Sequence, residues 1–127
     1  MTEGYKDIRL EREGGVATLT LAKPPLNVLD IAMMEEMNRA LSELEGDTAL
    51  RMVVMRAEGK AFSAGVDISD HTADKVGDMI RAFHGIFHRM HLIHAPIVAV
   101  VDGAALGGGC EVVLFSDMVI ASERSKF

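Results

Sequence analysis

The sequence has few of the residues on which several common kinds of site depend. It contains a single cysteine, Cys110, which excludes an internal disulfide framework and a zinc site built from cysteines. No stretch approaches the roughly 18 apolar residues that cross a bilayer. The N-terminal segment "MTEGYKDIRLERE" has no apolar core of the kind found in secretory signals. We therefore expect no membrane partner and a protein of the reducing cytoplasm.

Long blocks of one charge are absent as well. The 13 Lys and Arg and the 19 Asp and Glu give a formal net charge of −6, which favours solubility and disfavours a nucleic-acid surface. Only 3 of the 127 residues are proline, and 49% are hydrophobic. A chain of this length and composition is typical of one globular domain with a sizeable core.

The periodicity of the sequence predicts alternating strands and helices. Alternation on both sides of Gly14-Gly15 predicts a hairpin, and short apolar runs predict strands at 51–57, "IVAVV" and "MVIAS". Helical spacing predicts helices from an Asp30 cap to about residue 45, ended by Gly46, over 73–92, and near 108–116. Residues 58–67 are predicted as a loop. This order indicates an α/β protein, in which we expect the core-spaced methionines to serve packing only: Met33, Met37 and Met79.

The segment "DGAALGGGCE" at 102–111 contains three consecutive glycines followed by Glu111. A P-loop would need Lys and Ser or Thr where Gly109 and Cys110 stand, and the dinucleotide motif would need a third glycine at Val112. Close packing of a helix start explains one or two of the glycines. An anion site made of backbone N–H groups explains the run better, but it needs a second donor from another loop.

The segment "KAFSAGVDIS" at 60–69 is the second small-residue loop that follows a strand. Taken alone it is better explained by an ordinary turn. Its "AFSAG" departs from the nucleophile elbow at Ala61, which disfavours Ser63 as a hydrolase nucleophile. Three histidines at helical spacing, His84, His88 and His91, share one face, but a pocket lining or an exposed face explains them better than a metal site.

Together the two loops resemble those of the enoyl-CoA hydratase/isomerase family, also called the crotonase family. "MVVMRAEGKAFSAGVDI" is similar to its first oxyanion loop, and "PIVAVVDGAALGGGCEVVLFSDMVIASERSKF" to its second. The opening "YKDIRLEREGGVATLTLAKPPLNVLD" resembles the family's first hairpin and the loop after it. The resemblance implies a crotonase-type spiral of ββα units, of which residues 1–127 form an incomplete core domain that lacks the C-terminal helical region.

The resemblance also implies roles for individual residues. The amides of Val66 and Gly108 would form the oxyanion hole, and Glu111 would act on water, although the same glutamate could simply compensate a helix dipole. Lys23 could equally be a solvated loop charge. The residues implied to bind the coenzyme A part of the substrate are Lys23, Leu26, Ala64, Val66, Asp67, Ile68 and Gly108.

The implied activity is hydration of an α,β-unsaturated acyl-CoA, with no metal and no cofactor beyond the coenzyme A of the substrate. The family's second glutamate would lie after Phe127, so we expect little activity from the 127 residues alone. The segment "HTADKVGDMIRAFHGIFHRMH" resembles hydratases of alicyclic dienoyl-CoA thioesters. The resemblance further implies a homo-oligomer, trimer or hexamer. An isomerase of the same family and an inactive, oligomerising fragment remain the alternatives.

Overall fold

The predicted hairpin begins a five-stranded sheet in the computed structural model, which describes residues 4–127. The strands are β1 (Ile8–Glu13), β2 (Val16–Leu21), β3 (Met52–Ala57), β4 (Ala61–Ser63), β5 (Ile97–Val101), β6 (Ala104–Ala105) and β7 (Met118–Ala121). The helices are α1 (Ile31–Leu44), α2 (Val76–Leu92) and α3 (Gly108–Phe115), with a short 3-10 helix at Ile68–Asp70.

The order of the strands decides where the loops meet. The sheet runs β1-β2-β3-β5-β7, with β1 antiparallel to β2 and the other neighbouring pairs parallel. Parallel neighbours require crossover connections, which the helices provide. The carboxyl ends of β2, β3 and β5 therefore lie at one edge of the sheet, the usual position of ligands in sheets of this kind. The segments 22–30, 58–67 and 102–107 follow those three ends, and the second and third of them contain the short strands β4 and β6.

The helices form as their capping and apolar spacing predict. Asp30 caps α1 by accepting a hydrogen bond from the Met33 amide at 2.8 Å, and Gly46 has φ +73° just beyond the end of the helix. Met33, Met37 and Met79 are buried in the core, as predicted, but Met79 also lines a cavity, so its role is not packing alone. α1 packs against α2 and β1.

Two boundaries differ from the predictions. The loop prediction for residues 58–67 was wrong at Ala61–Ser63, where the short strand β4 pairs in parallel with β6. Strands of two or three residues are too short to show an alternating pattern. α2 begins at Val76 rather than at residue 73, because the Thr72 carbonyl accepts hydrogen bonds from the Lys75 and Val76 amides in a preceding turn. Among the helices within residues 4–127, none has both the length and the apolarity of a membrane span.

Candidate active site

Two loops at the carboxyl edge of the sheet run side by side. The Ala64 amide donates to the Leu26 carbonyl at 2.9 Å, and the Leu29 amide donates to the Gly65 carbonyl at 2.8 Å. A parallel bridge pairs Leu29 with Val66. These bonds join two segments that the sequence analysis assigned separately to coenzyme A, and they fix the backbone on both sides of Val66.

Asn27 holds the same two loops together from inside. Its side-chain Nδ2 donates to the carbonyls of Glu58 at 2.7 Å and Ala61 at 2.9 Å. Its Oδ1 accepts from the Lys23 amide at 2.8 Å, and its own backbone has φ +49°. The sequence analysis did not single out this buried residue. An asparagine that ends a "KPPLN" turn is the signal that could have found it.

Ser63 belongs to the same buried network. Its hydroxyl donates to the Asn27 carbonyl at 2.9 Å and accepts from the Gly65 amide at 3.2 Å. The side chain is fully buried. This bonding agrees with the argument against Ser63 as a nucleophile, since the oxygen serves to hold the loop.

The three glycines at 107–109 each meet a different constraint. Gly107 has φ +52°, a backbone conformation that residues other than glycine rarely adopt. A Cβ at Gly108 would lie 2.9 Å from Cγ2 of Val66, and a Cβ at Gly109 would lie 2.5 Å from the Ser63 carbonyl oxygen. Packing therefore explains two of the glycines, and backbone conformation explains the third.

The two loops bring the amides of Val66 and Gly108 to one place. A Cβ built on Gly65 would lie 3.6 Å from the Gly108 nitrogen, so the loop around Val66 touches the start of α3. Within residues 4–127, neither amide donates a hydrogen bond to another protein group. Both N–H groups are therefore available to a ligand, and the α3 dipole adds positive potential at Gly108.

A cavity of about 380 Å³ contains this pair of amides. Glu111, in the first turn of α3, borders the cavity and is exposed. Four residues of its wall lie outside the two glycine loops and were not predicted as site residues: His71, Met79, Ile80 and Phe83. The pattern of the glycine loops gives no signal for them, because they reach the cavity from another segment.

A second cavity of about 360 Å³ also borders Glu111. Its lining is mostly apolar and includes His84, Phe87 and Phe115. The rings of Phe87 and Phe115 meet edge to face with centroids 5.3 Å apart. Glu111 thus lies between a cavity with exposed amides and a cavity with aromatic walls.

The side chains predicted to bind coenzyme A have varied surroundings. Lys23 forms an ion pair with Asp30 rather than standing free in solvent. The pKa of Asp67 is lowered, because its carboxylate accepts hydrogen bonds from the Ser69 amide and hydroxyl. Leu26 and Ile68 are exposed, Ile68 to 85%. These residues flank the joined loops and leave apolar surface open to solvent.

The histidines of α2 are exposed and do not converge with other ligand types. His84 borders the aromatic cavity, while His88 borders a different depression between α1 and α2. In the part of the chain from residue 4 onward, no group of three or more His, Cys, Asp or Glu side chains could hold a metal ion. Cys110, which follows the three glycines, is half-buried.

Comparison with known proteins identifies the arrangement. The sequence profile of the enoyl-CoA hydratase/isomerase family matches residues 11–127. The cyclohexa-1,5-dienecarbonyl-CoA hydratase of Thauera aromatica is 37% identical over 118 residues, covering 93% of this chain and 46% of that protein. The short-chain-enoyl-CoA hydratase of Clostridium acetobutylicum is 36% identical over 127 residues, covering 95% of this chain and 48% of that protein.

The fold agrees with the sequence comparison. A crystal structure of an enoyl-CoA hydratase from Mycobacterium smegmatis matches with a TM-score of 0.89 at 29% identity, over 95% of this chain and 49% of that chain. The prediction of a crotonase-type α/β fold is confirmed. The chain spans about half the length of the relatives that it matches.

Proposed function

The chain belongs to the enoyl-CoA hydratase/isomerase family, and from that premise we propose that it supplies the oxyanion part of a hydratase site. The reaction adds water across the double bond of an α,β-unsaturated acyl-CoA thioester. The oxygen of water bonds to the β-carbon of the acyl group, and the π electrons of the double bond move to the thioester oxygen. The resulting enolate then takes a proton at the α-carbon of the acyl group.

The observation that carries this proposal is the pair of unbonded amides, Val66 and Gly108, on one cavity. The thioester oxygen becomes negative in the enolate, and N–H groups directed at it stabilise that charge. Removal of one such donor from a comparable site raises the barrier by about 2.7–4 kcal/mol. Backbone donors have the further advantage that the fold itself holds them in place.

Glu111 is the group that acts on water in this proposal. It lies in the first turn of α3, and its carboxylate is a group that can accept a proton from water. It also borders both cavities, so it lies between the thioester position and the apolar space. The carboxylate would take the proton that water loses as its oxygen bonds to Cβ.

Coenzyme A would bind along the joined loops. We assign Ala64, Val66, Asp67 and Ile68 to the pantetheine arm, and Lys23 and Leu26 to the nucleotide end. The hydrogen bonds between the loops support this assignment, because they make one continuous surface from the two segments. The Lys23–Asp30 ion pair would have to open, or be shared, for the ammonium to reach a phosphate.

The acyl group would enter the aromatic cavity beside Glu111. This open depression presents the rings of Phe87 and Phe115, which offer an apolar surface to an acyl group. The Thauera aromatica relative is named for a cyclic dienoyl thioester. We therefore favour an alicyclic dienoyl-CoA over a linear enoyl-CoA as the substrate class.

Residues 1–127 would form an incomplete core of this enzyme. The relatives are about twice as long, and we assign the second acid–base group of the reaction to the part of the fold that corresponds to their remaining half. No metal and no cofactor beyond the coenzyme A of the substrate take part in this mechanism. A homo-oligomeric assembly and a cytoplasmic location stay predictions from the sequence.

Thioester binding by the 127-residue chain tests the oxyanion assignment. We expect Gly108→Ala to weaken binding of an enoyl-CoA about tenfold in isothermal titration, because the new methyl group would crowd Val66 and Phe83. Gly77→Ala is the matched control, since a Cβ at that helical glycine meets nothing within 4 Å. Equal affinity of Gly108→Ala and the unmodified chain would overturn the assignment.

The same titration separates the substrate classes, and a hydration assay tests the need for a second carboxylate. Tighter binding of a cyclic dienoyl-CoA than of crotonyl-CoA supports the alicyclic class, and the reverse order removes it.

We expect no measurable hydration by the 127-residue chain alone. Turnover of either thioester by this chain would show that Glu111 needs no acid–base partner from outside it.

A further inference from the structure

We propose that His71 binds the hydroxyl group that hydration places on the acyl chain, through its ring nitrogen Nε2. This inference rests on the proposed function and adds a residue that recognises the hydrated product. His71 follows the 3-10 helix and borders the cavity that contains the Val66 and Gly108 amides and Glu111.

The backbone around His71 is firmly held. The His71 amide donates to the Ile68 carbonyl at 3.0 Å. Its neighbour Asp70 is buried, and the Asp70 carboxylate accepts a hydrogen bond from the Ile31 amide at the start of α1 at 3.1 Å. The backbone of His71 is therefore held beside the cavity, and its exposed ring is accessible to a ligand.

One hydrogen bond determines which ring nitrogen of His71 can accept a hydrogen bond from a ligand. Nδ1 of His71 lies 3.0 Å from the carbonyl oxygen of Asp67. A carbonyl oxygen only accepts, so Nδ1 must carry the proton in this contact. In the neutral ring Nε2 is then unprotonated, and it can accept a hydrogen bond from a ligand.

The polar groups of the cavity then fall into two kinds. The amides of Val66 and Gly108 donate, which suits a thioester oxygen. Nε2 of His71 and the carboxylate of Glu111 accept, which suits an O–H group. A saturated or unsaturated acyl chain offers no O–H donor near its thioester, whereas a 3-hydroxyacyl thioester does. The cavity is therefore complementary to the hydrated form.

Two ligands that differ only by that hydroxyl test the inference. We compare a 3-hydroxyacyl-CoA with the saturated acyl-CoA of the same chain, by titration of the 127-residue chain in mildly alkaline buffer. His71→Ala should weaken binding of the hydroxyacyl thioester about five- to tenfold, the value of one hydrogen bond. It should change binding of the saturated thioester less than twofold.

Two variants serve as references. His71→Gln retains an acceptor oxygen and should keep most of the preference for the hydroxyl ligand. His94→Ala removes another exposed histidine that borders neither cavity and should leave both affinities unchanged. Circular dichroism verifies that each variant is folded, and the ratio of the two dissociation constants is the quantity compared.

Different results separate the two levels of the hypothesis. Equal weakening of both ligands by His71→Ala, or no weakening of either, overturns the role of His71 and leaves the thioester site intact. Failure of the unmodified chain to bind either thioester more tightly than free coenzyme A overturns the proposed function and this inference with it.

Discussion

Gly109 is the residue of the site where an added side chain would meet the most rigid surroundings. A Cβ there would lie 2.5 Å from the Ser63 carbonyl oxygen and 2.7 Å from Ser63 Cβ. The backbone of Ser63 cannot move without disturbing β4 and its pairing with β6. Gly109 therefore sets how closely α3 approaches the loop that carries Val66.

We expect Gly109→Ala to lower the free energy of unfolding by about 1–3 kcal/mol, the usual cost of overpacking a tight site. The helical preference of alanine over glycine, roughly 1 kcal/mol at most, offsets only the low end of this cost, and the 2.5 Å approach to the Ser63 carbonyl oxygen places Gly109 at the high end. Urea denaturation measures the difference. Gly77→Ala, a helical glycine with open space around it, should be as stable as the unmodified chain or more so. Equal stability of both variants would contradict the packing argument.

At the scale of elements, polar bonds join the ends of neighbouring strands. Asp102 directly follows β5, and Ser122 and Arg124 follow β7. The Arg124 guanidinium and the Ser122 hydroxyl both donate to the Asp102 carboxylate, which holds the pKa of Asp102 at about 2 instead of 3.8. These contacts connect the outermost strand to the rest of the sheet at its carboxyl end.

Because of these contacts, the free energy of unfolding should depend on pH in the acid range. The pKa of Asp102 is lower in the folded than in the unfolded chain, so its contribution is present above pH 3.8 and is lost as the pH falls towards about 2. Asp102→Asn should lower the urea midpoint near pH 7. Between pH 3.8 and about 2, the urea midpoint of this variant should then fall less than that of the unmodified chain. If the urea midpoints of the variant and the unmodified chain fell in parallel down to pH 2, this interpretation would be contradicted. Glu123→Gln, an exposed change in the same turn, is the control.

At the scale of the whole molecule, one edge of the sheet carries an apolar surface. β7 pairs with β5 on one side and is exposed along its length, with Met118 58% and Ile120 56% exposed. Leu114 and Phe115 at the end of α3 are exposed apolar residues as well. An exposed strand edge with apolar side chains tends to pair with further protein.

We expect the 127-residue chain to self-associate through this surface at micromolar concentration. Ile120→Lys should shift the mass measured by light scattering after size exclusion towards the monomer, because a charged edge strand resists pairing. Ile68→Lys is the control, because Ile68 is 85% exposed but lies in neither α3 nor β7. This substitution should leave the mass distribution unchanged. A monomeric unmodified chain, or equal effects of the two substitutions, would count against the interpretation.

Local pattern was sufficient for most of the fold. The alternation around Gly14-Gly15, the Asp30 cap and the apolar spacing of Met33 and Met37 report backbone preferences that act within a few residues. The resemblance of the two glycine loops to a known family added residue roles that periodicity alone does not provide. What local pattern missed was short or distant: the β4–β6 pair, and the turn that delays the start of α2 to Val76.

The sequence by itself determined the longer strands and helices, the places where glycine was needed, and the family to which its loops are similar. Only the tertiary structure decided that Val66 and Gly108 lie side by side with unbonded amides, and that Asn27 and His71 belong to the same site. The reason is the strand order. β2, β3 and β5 become neighbours through packing across the whole sheet, and that adjacency brings together loops that are far apart along the chain.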